Sequence, residues 1–247
     1  MRFTILSLFP QMLESYFASS IMGKAVEREL IEYTLVDIRD FATDRHRTAD
    51  DAPYGGGYGM VLKPEPLASA LDSVGAMSKR VVYASPAGRL FDQRTAVELS
   101  REAELVMICG RYEGIDQRII DMYVHDQLSI GDYVVSSGEI ASLVIVDAIY
   151  RLVAGVITPG SLEEESHNES LLEYPHYTRP EEFRGRAVPD ILRSGHHGEI
   201  DRWRRWKQIE RTAAVRPDLL ARSGITDAEM RELETRYGGQ DGSDQGG

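Results

Sequence analysis

Residues 104–109, ELVMIC, place five apolar side chains in six and show no polar alternation. A strand with one face toward water alternates. One that does not must be covered on both faces, the condition of a parallel sheet between two helical layers. The surrounding segments agree. RFTILSL (2–8), YTLVDI (33–38) and RVVYAS (80–85) are further β-rich runs. Helical spacing runs through Met12, Tyr16, Ala25 and Leu30, a helix is due after Pro64, and 92–103 is helical in pattern. Strands alternating with helices predict an α/β domain with a largely parallel sheet. Residues 138–153, GEIASLVIVDAIYRLV, form a buried helix. Arg151, near its end, either complements the helix dipole or faces a site.

The pattern changes after Gly155. Residues 158–170, TPGSLEEESHNES, are polar and aperiodic and read as a linker, and 196–236 read as a small helical domain. The tail GGQDGSDQGG has the composition of a disordered segment. No apolar run reaches the roughly 18 residues of a membrane span, and the N-terminus lacks a signal-peptide pattern. The single cysteine, Cys109, excludes an internal disulfide framework and points to a reducing, cytoplasmic setting. Between Val106–Ile108 and Gly110 it reads as a buried thiol and not a nucleophile. The net charge of −12 argues against non-specific nucleic-acid binding. Residues 179–222, however, hold eleven Lys/Arg and seven Asp/Glu, a local balance of +4.

Four glycine-bearing segments are candidates for chemistry. DDAPYGGGYGM (50–60) permits positive φ and close backbone approach, or is simply a tight surface turn. It lacks the lysine and spacing of a phosphate-binding loop, which argues against the rival reading of a doubly wound nucleotide-using enzyme with YGGGYG as its phosphate loop. SPAGRLFDQ (85–93) and CGRYEGID (109–116) each follow a strand, where open α/β sheets bind ligands. In the second, Gly110 and Gly114 allow close approach. Glu113 and Tyr112 offer a carboxylate and a ring to a cation, or are solvated surface groups. LSIGDYVVSSGE (128–139) leads into the buried helix and presents N–H donors there, or an ordinary capped start.

Taken in order, these strings together with LLEYPHYTRPEEFRG, VPDILRSGHH and RPDLL resemble the bacterial tRNA (guanine-N1-)-methyltransferases of the SPOUT superfamily, over essentially the whole chain to about Tyr237. The resemblance implies an α/β domain at 1–157 with a deep C-terminal trefoil knot, which no pattern argument would propose. It implies a linker at 158–174, a small all-α tRNA-binding domain at 175–237 and a tail at 238–247. It further implies a homodimer with active sites at the subunit interface. S-adenosylmethionine would be held by Tyr83, Ser85 and Pro86 after one strand. Gly110, Tyr112, Glu113 and Gly114 would follow the next strand. Ser129, Ile130, Gly131, Asp132, Tyr133, Val134, Val135 and Gly138 would precede the helix. The reaction would methylate N1 of the guanosine 3′ of the anticodon, tRNA position 37.

The family's catalytic aspartate falls here on Glu165, in EEESH, which leaves Glu164 and Glu165 both open as general base. The family's arginine falls on Arg151, in the role of stabilising charge at O6. Ser137 stands where glycine is usual and Ala154 where proline is usual. Magnesium enters only through the resemblance, with no carboxylate cage to assign it to. The tRNA would contact the stretch from Arg179 to Arg205, where Trp203 and Trp206 are core residues or stacking platforms. The rival readings are a catalytically inactive SPOUT-fold RNA-binding protein, which the Glu165 departure favours, and a SPOUT methylase acting on ribosomal RNA or a ribose hydroxyl, which would not carry DDAPYGGGYGM or HYTRP.

Overall fold

The structure, a computed structural model, describes residues 1–157 and 170–237. Glu164, Glu165, most of the expected linker and the tail lie outside the described residues. The chain divides into two compact units, Met1–Thr158 and Pro159–Gly247.

In chain order the first unit contains β1 (Arg2–Ser7), α1 (Gln11–Phe17), α2 (Ser20–Glu27), β2 (Glu32–Asp37), β3 (Asp50–Asp51), β4 (Val61–Leu62), α3 (Pro64–Ser73), β5 (Arg80–Leu90), α4 (Gln93–Leu99), β6 (Glu104–Cys109), α5 (Gln117–Tyr123), β7 (Asp126–Ser129) and α6 (Gly138–Tyr150). The five long strands form one sheet in the order β2-β1-β6-β5-β7, every pair parallel. ELVMIC is β6, the middle strand. Leu105, Met107 and Cys109 face one apolar cluster with α1, α2, α4 and α6, while Val106 and Ile108 face a second with α3 and α5. This two-sided burial is what the unbroken apolar run requires.

Three expectations change in detail. The helical run through Met12 to Leu30 is two helices, broken where Ser19 is extended and Ser20 takes φ +56°. The segment DDAPYGGGYGM is not a lone surface turn, since a short antiparallel pairing, Asp50↔Leu62 and Asp51↔Val61, closes it. The third strand does not stop at Ser85. It loops out at Ser85–Gly88 and rejoins β7, so that Ala84 and Arg89 both register with Leu128. Proline and glycine inside the segment read as an end, whereas they shape a bulge.

The second unit carries β8 (Glu182–Phe183), β9 (Arg186–Ala187), α7 (Asp190–Arg193), α8 (His197–Val215), α9 (Pro217–Leu220) and α10 (Asp227–Tyr237). It is therefore not all-α. Arg184 and Gly185 both take positive φ (54° and 77°), the signature of the tight turn that joins two antiparallel strands. α8 ends before Pro217, which disfavours helical backbone at the preceding residue. Trp203 and Trp206 are buried with Leu171, Ile209, Leu233 and Tyr237, so both belong to the core of this unit and neither is a stacking platform. No described helix is long and apolar enough to cross a membrane.

Candidate active site

A bulge within β5 and the loops that follow β6 and β7 wall one cleft at the carboxyl edge of the sheet. Open parallel sheets place ligands at this edge because successive loops diverge there.

The first loop is the bulge Ser85–Gly88. A Cβ on Gly88 would lie 2.5 Å from the backbone of Gln127 and Leu128, so only glycine lets the chain return onto β7. Gln127 Nε2 donates to Ser85 Oγ at 3.0 Å, and the Ala87 N–H donates to the same oxygen at 3.2 Å. One carboxylate ties the start of β5 to the residue that closes the bulge. Asp126 accepts from Arg80 Nε at 2.6 Å and from Arg89 Nη2 at 2.8 Å. Burial alone would raise the Asp126 pKa, but these two guanidinium contacts outweigh it and hold the carboxyl below the usual range.

The second loop, Gly110–Gly114, turns through Tyr112 (φ +55°) and Gly114 (φ +116°). It is stitched to the end of the glycine-rich segment. The Glu113 N–H donates to the Met60 carbonyl at 3.0 Å, and the Leu62 N–H to the Gly114 carbonyl at 3.0 Å. A Cβ on Gly59 would meet Glu113 Oε1 at 2.4 Å, so the carboxylate lies directly on that glycine. Gly59 and Met60, at the end of DDAPYGGGYGM, thus brace the second loop, while Tyr54 and Tyr58 are fully exposed. Tyr83 lines the cleft beside Gly110 and Gly114, and burial pushes its phenol pKa up.

The third loop, Ile130–Ser137, opens on Gly131 (φ +149°), whose N–H donates to Ser129 Oγ at 3.3 Å. It closes where the Gly138 N–H donates to the Gly110 carbonyl at 3.0 Å. Among the described residues, no protein acceptor takes the N–H groups of Val134 and Val135.

All the cofactor residues expected from the sequence line this cleft except Gly131 and Asp132. Gly131 shapes the turn, and Asp132 is exposed beyond it. Sequence reasoning missed Ala84, Ala87, Arg111, Leu128, Ser136, Ser137 and Ala141 as lining residues. Arg111 and Ser137 carried a usable signal, being polar residues inside glycine-bearing strings already singled out. Cys109 is buried directly below, donating to Ser142 Oγ at 3.3 Å, and burial pushes its thiol pKa up. That is an inert thiol.

Arg151 does not line the cleft. It caps the C-terminal end of α6, while Gly138 at the other end forms part of the wall. Thirteen residues at 1.5 Å rise separate them by about 20 Å. Among the described residues, no group of three or more His, Cys, Asp or Glu converges as metal ligands would.

The fold and the cleft define an α/β protein with a cleft walled by main-chain loops at the carboxyl edge of a parallel sheet. Residues 1–222 match the family model described as tRNA (Guanine-1)-methyltransferase TrmD, and the chain belongs to that family. A protein of Treponema denticola named tRNA (guanine-N(1)-)-methyltransferase is 60% identical over 234 residues, covering 95% of this chain and 96% of its own. Proteins of the same name from Treponema pallidum (55% over 235 residues, 95% and 94%) and Borrelia duttonii (52% over 247 residues, 99% of each) are similarly close.

Proposed function

We propose that this chain transfers the methyl group of S-adenosylmethionine to N1 of the guanosine 3′ of the anticodon, tRNA position 37. The observation that carries this reading is the cleft itself, placed in a chain whose family is that of the tRNA (guanine-N1) methylases. Its chemistry suits the cofactor. Leu128, Ile130, Val134, Val135 and Ala141 offer an apolar slot for an adenine ring, and the unpaired N–H groups of Val134 and Val135 suit its edge. Glu113 and the Tyr112 ring suit the cationic end. The donor supplies an electrophilic methyl group on a sulfonium.

The chain's own residues then have two tasks. A carboxylate, Glu165 in this reading, takes the N1 proton, because neutral guanine N1 is a poor nucleophile. A guanidinium, Arg151, stabilises the negative charge that spreads to O6. Orientation of the base toward the cleft provides much of the remaining acceleration.

Arg151 and the cleft wall stand about 20 Å apart along α6, so one chain does not bring them together. A homodimer does, if a second copy lays the far end of its α6 against the cleft. The outward face of α6 supports this. Ile140 and Val144, one turn apart, stay 45% and 46% exposed on a largely buried helix. We also assign the family's trefoil knot to the β5–α6 region, in line with the junction of Gly110 and Gly138. The tRNA-binding role falls to the second unit. Several of its arginines are neutralised locally, Arg202 and Arg236 on Glu199 and Arg205 on Glu229. Arg179, Arg184 and Arg186, exposed around the β8–β9 ribbon, are the phosphate contacts in this reading. The setting is the cytoplasm, where tRNA is modified.

The test is methyl transfer from labelled S-adenosylmethionine to an unmodified tRNA transcript, beside the same transcript with adenosine at the target. Label in the guanosine transcript alone is the expected result. Cofactor binding without label in either transcript would favour the catalytically inactive RNA-binding reading.

A further inference from the structure

Glu139 is fully buried in the first turn of α6, beside the cleft and outside its lining. Two serine hydroxyls donate to its carboxylate, Ser7 Oγ to Oε1 at 2.6 Å and Ser137 Oγ to Oε2 at 2.5 Å. The Arg111 guanidinium stands 3.9 Å from Oε2. Arg111 in turn donates to the Ser136 carbonyl at 3.1 Å and lies over the Phe9 ring, 4.7 Å from its centroid. Ser7 Oγ also accepts the Phe9 N–H at 2.8 Å. The end of β1, the second loop and the close of the third loop therefore meet on one carboxylate.

An ionised side chain withdrawn from water is costly, and an apolar residue of similar volume would pack α6 at least as well. What the carboxylate adds is direction. It needs donors on both oxygens, and the donors come from segments that share no regular secondary structure with one another. Arg111, Ser136 and Ser137 line the cleft; Glu139 holds Ser137 and Arg111 from behind, and Arg111 holds Ser136. A glycine at position 137 would remove one of the two hydroxyls and leave that oxygen facing Arg111 alone.

We propose that Glu139 is a positioning residue for the methyl donor, setting the separation of the 110–114 and 136–138 walls without touching cofactor or tRNA. This inference rests on the placement of S-adenosylmethionine in the cleft. Glutamine at 139 keeps the shape but turns one acceptor into a donor, which forces the facing serine hydroxyl to turn from donating to accepting and ends the charge attraction for Arg111. The walls then lose their fixed spacing while the tRNA-facing surface is unchanged.

The experiment is calorimetric titration of the full chain with S-adenosylmethionine, for the natural sequence, Glu139→Gln and Ser137→Ala, beside steady-state kinetics and thermal unfolding without ligand. Glu139→Gln should raise Kd for S-adenosylmethionine about tenfold or more, the loss expected for a hydrogen bond to a charged group. KM for the donor should rise in step, with kcat at saturation and KM for tRNA within about threefold. Ser137→Ala should shift the same quantities in the same direction by about threefold, one neutral-donor contact out of the set. Unchanged donor affinity in folded Glu139→Gln overturns the proposal. So does a parallel rise in KM for tRNA, which marks a general structural role. Should Glu139→Gln fail to fold, Ser137→Ala decides by the same split. If the natural chain itself does not bind the donor, the functional reading of the cleft falls, and this inference with it.

Discussion

The Gly138 N–H donates to the Gly110 carbonyl at 3.0 Å, and a Cβ on Gly138 would lie 2.4 Å from the Gly110 N and O atoms. The obstacle is main chain, not a flexible side chain, so no rotamer change relieves it. Gly138→Ala should therefore separate the second and third loops. We expect a stability loss of about 1–3 kcal/mol, as for other overpacked sites, by urea denaturation. S-adenosylmethionine binding by calorimetry should fall below detection. Natural-like binding in this variant would contradict the cleft geometry.

Asp126 ties the start of β5 to the exit of the first loop through Arg80 and Arg89. Asp126→Asn should cost about 2 kcal/mol, less than the loss of a wholly buried pair because Arg89 is half exposed. The carboxyl lies below its usual range in the folded chain, so its contribution is complete above the unfolded value near pH 4 and is lost as pH falls through the lower folded value. The gap between natural and variant stabilities, from urea unfolding at pH 3 to 7, should be flat above about pH 4.5 and shrink below it. A gap that widens in acid would reverse the assignment.

Much of this was legible because the decisive features are local. The apolar run of β6 demanded a sheet covered on both sides. The glycine-bearing strings marked the loops, since a glycine forced by backbone approach, as at Gly88 or Gly138, leaves a trace in composition. The bulge at Ser85–Gly88 was not legible, because the backbone that accepts it belongs to β7, some forty residues later. Glu139 was hidden for a related reason. An acidic residue in a first turn has an ordinary explanation in the helix dipole, and only the arrival of Ser7 from the other end of the domain shows that it is buried.

If Glu165 is the base, Glu165→Gln should lower kcat by about 10²–10⁴-fold. Donor affinity should stay unchanged, and Glu164→Gln should stay close to the natural rate. Single-turnover methylation of transcript tRNA separates the two. A silent Glu165→Gln with a crippled Glu164→Gln moves the role by one residue.

The proposed composite site across two copies makes a distinctive prediction for mixtures. Arg151→Ala and Gly138→Ala chains should each be inactive alone. Unfolded and refolded together in equal amounts, they should recover about one quarter of natural activity, since half the dimers are mixed and each has one intact site. No recovery would mean that Arg151 serves the cleft of its own chain.

The Ser7–Glu139 hydrogen bond joins positions 132 residues apart. β1 takes β2 as one neighbour after about thirty residues but waits for β6, its second, until residue 104. During synthesis the first segment made is thus among the last to be locked in place. Contacts so distant in sequence are slow to close. A nascent chain halted before α6 leaves the ribosome has no cleft to offer, however much of its sheet has formed, and ligand capture becomes a signal that the first unit is complete.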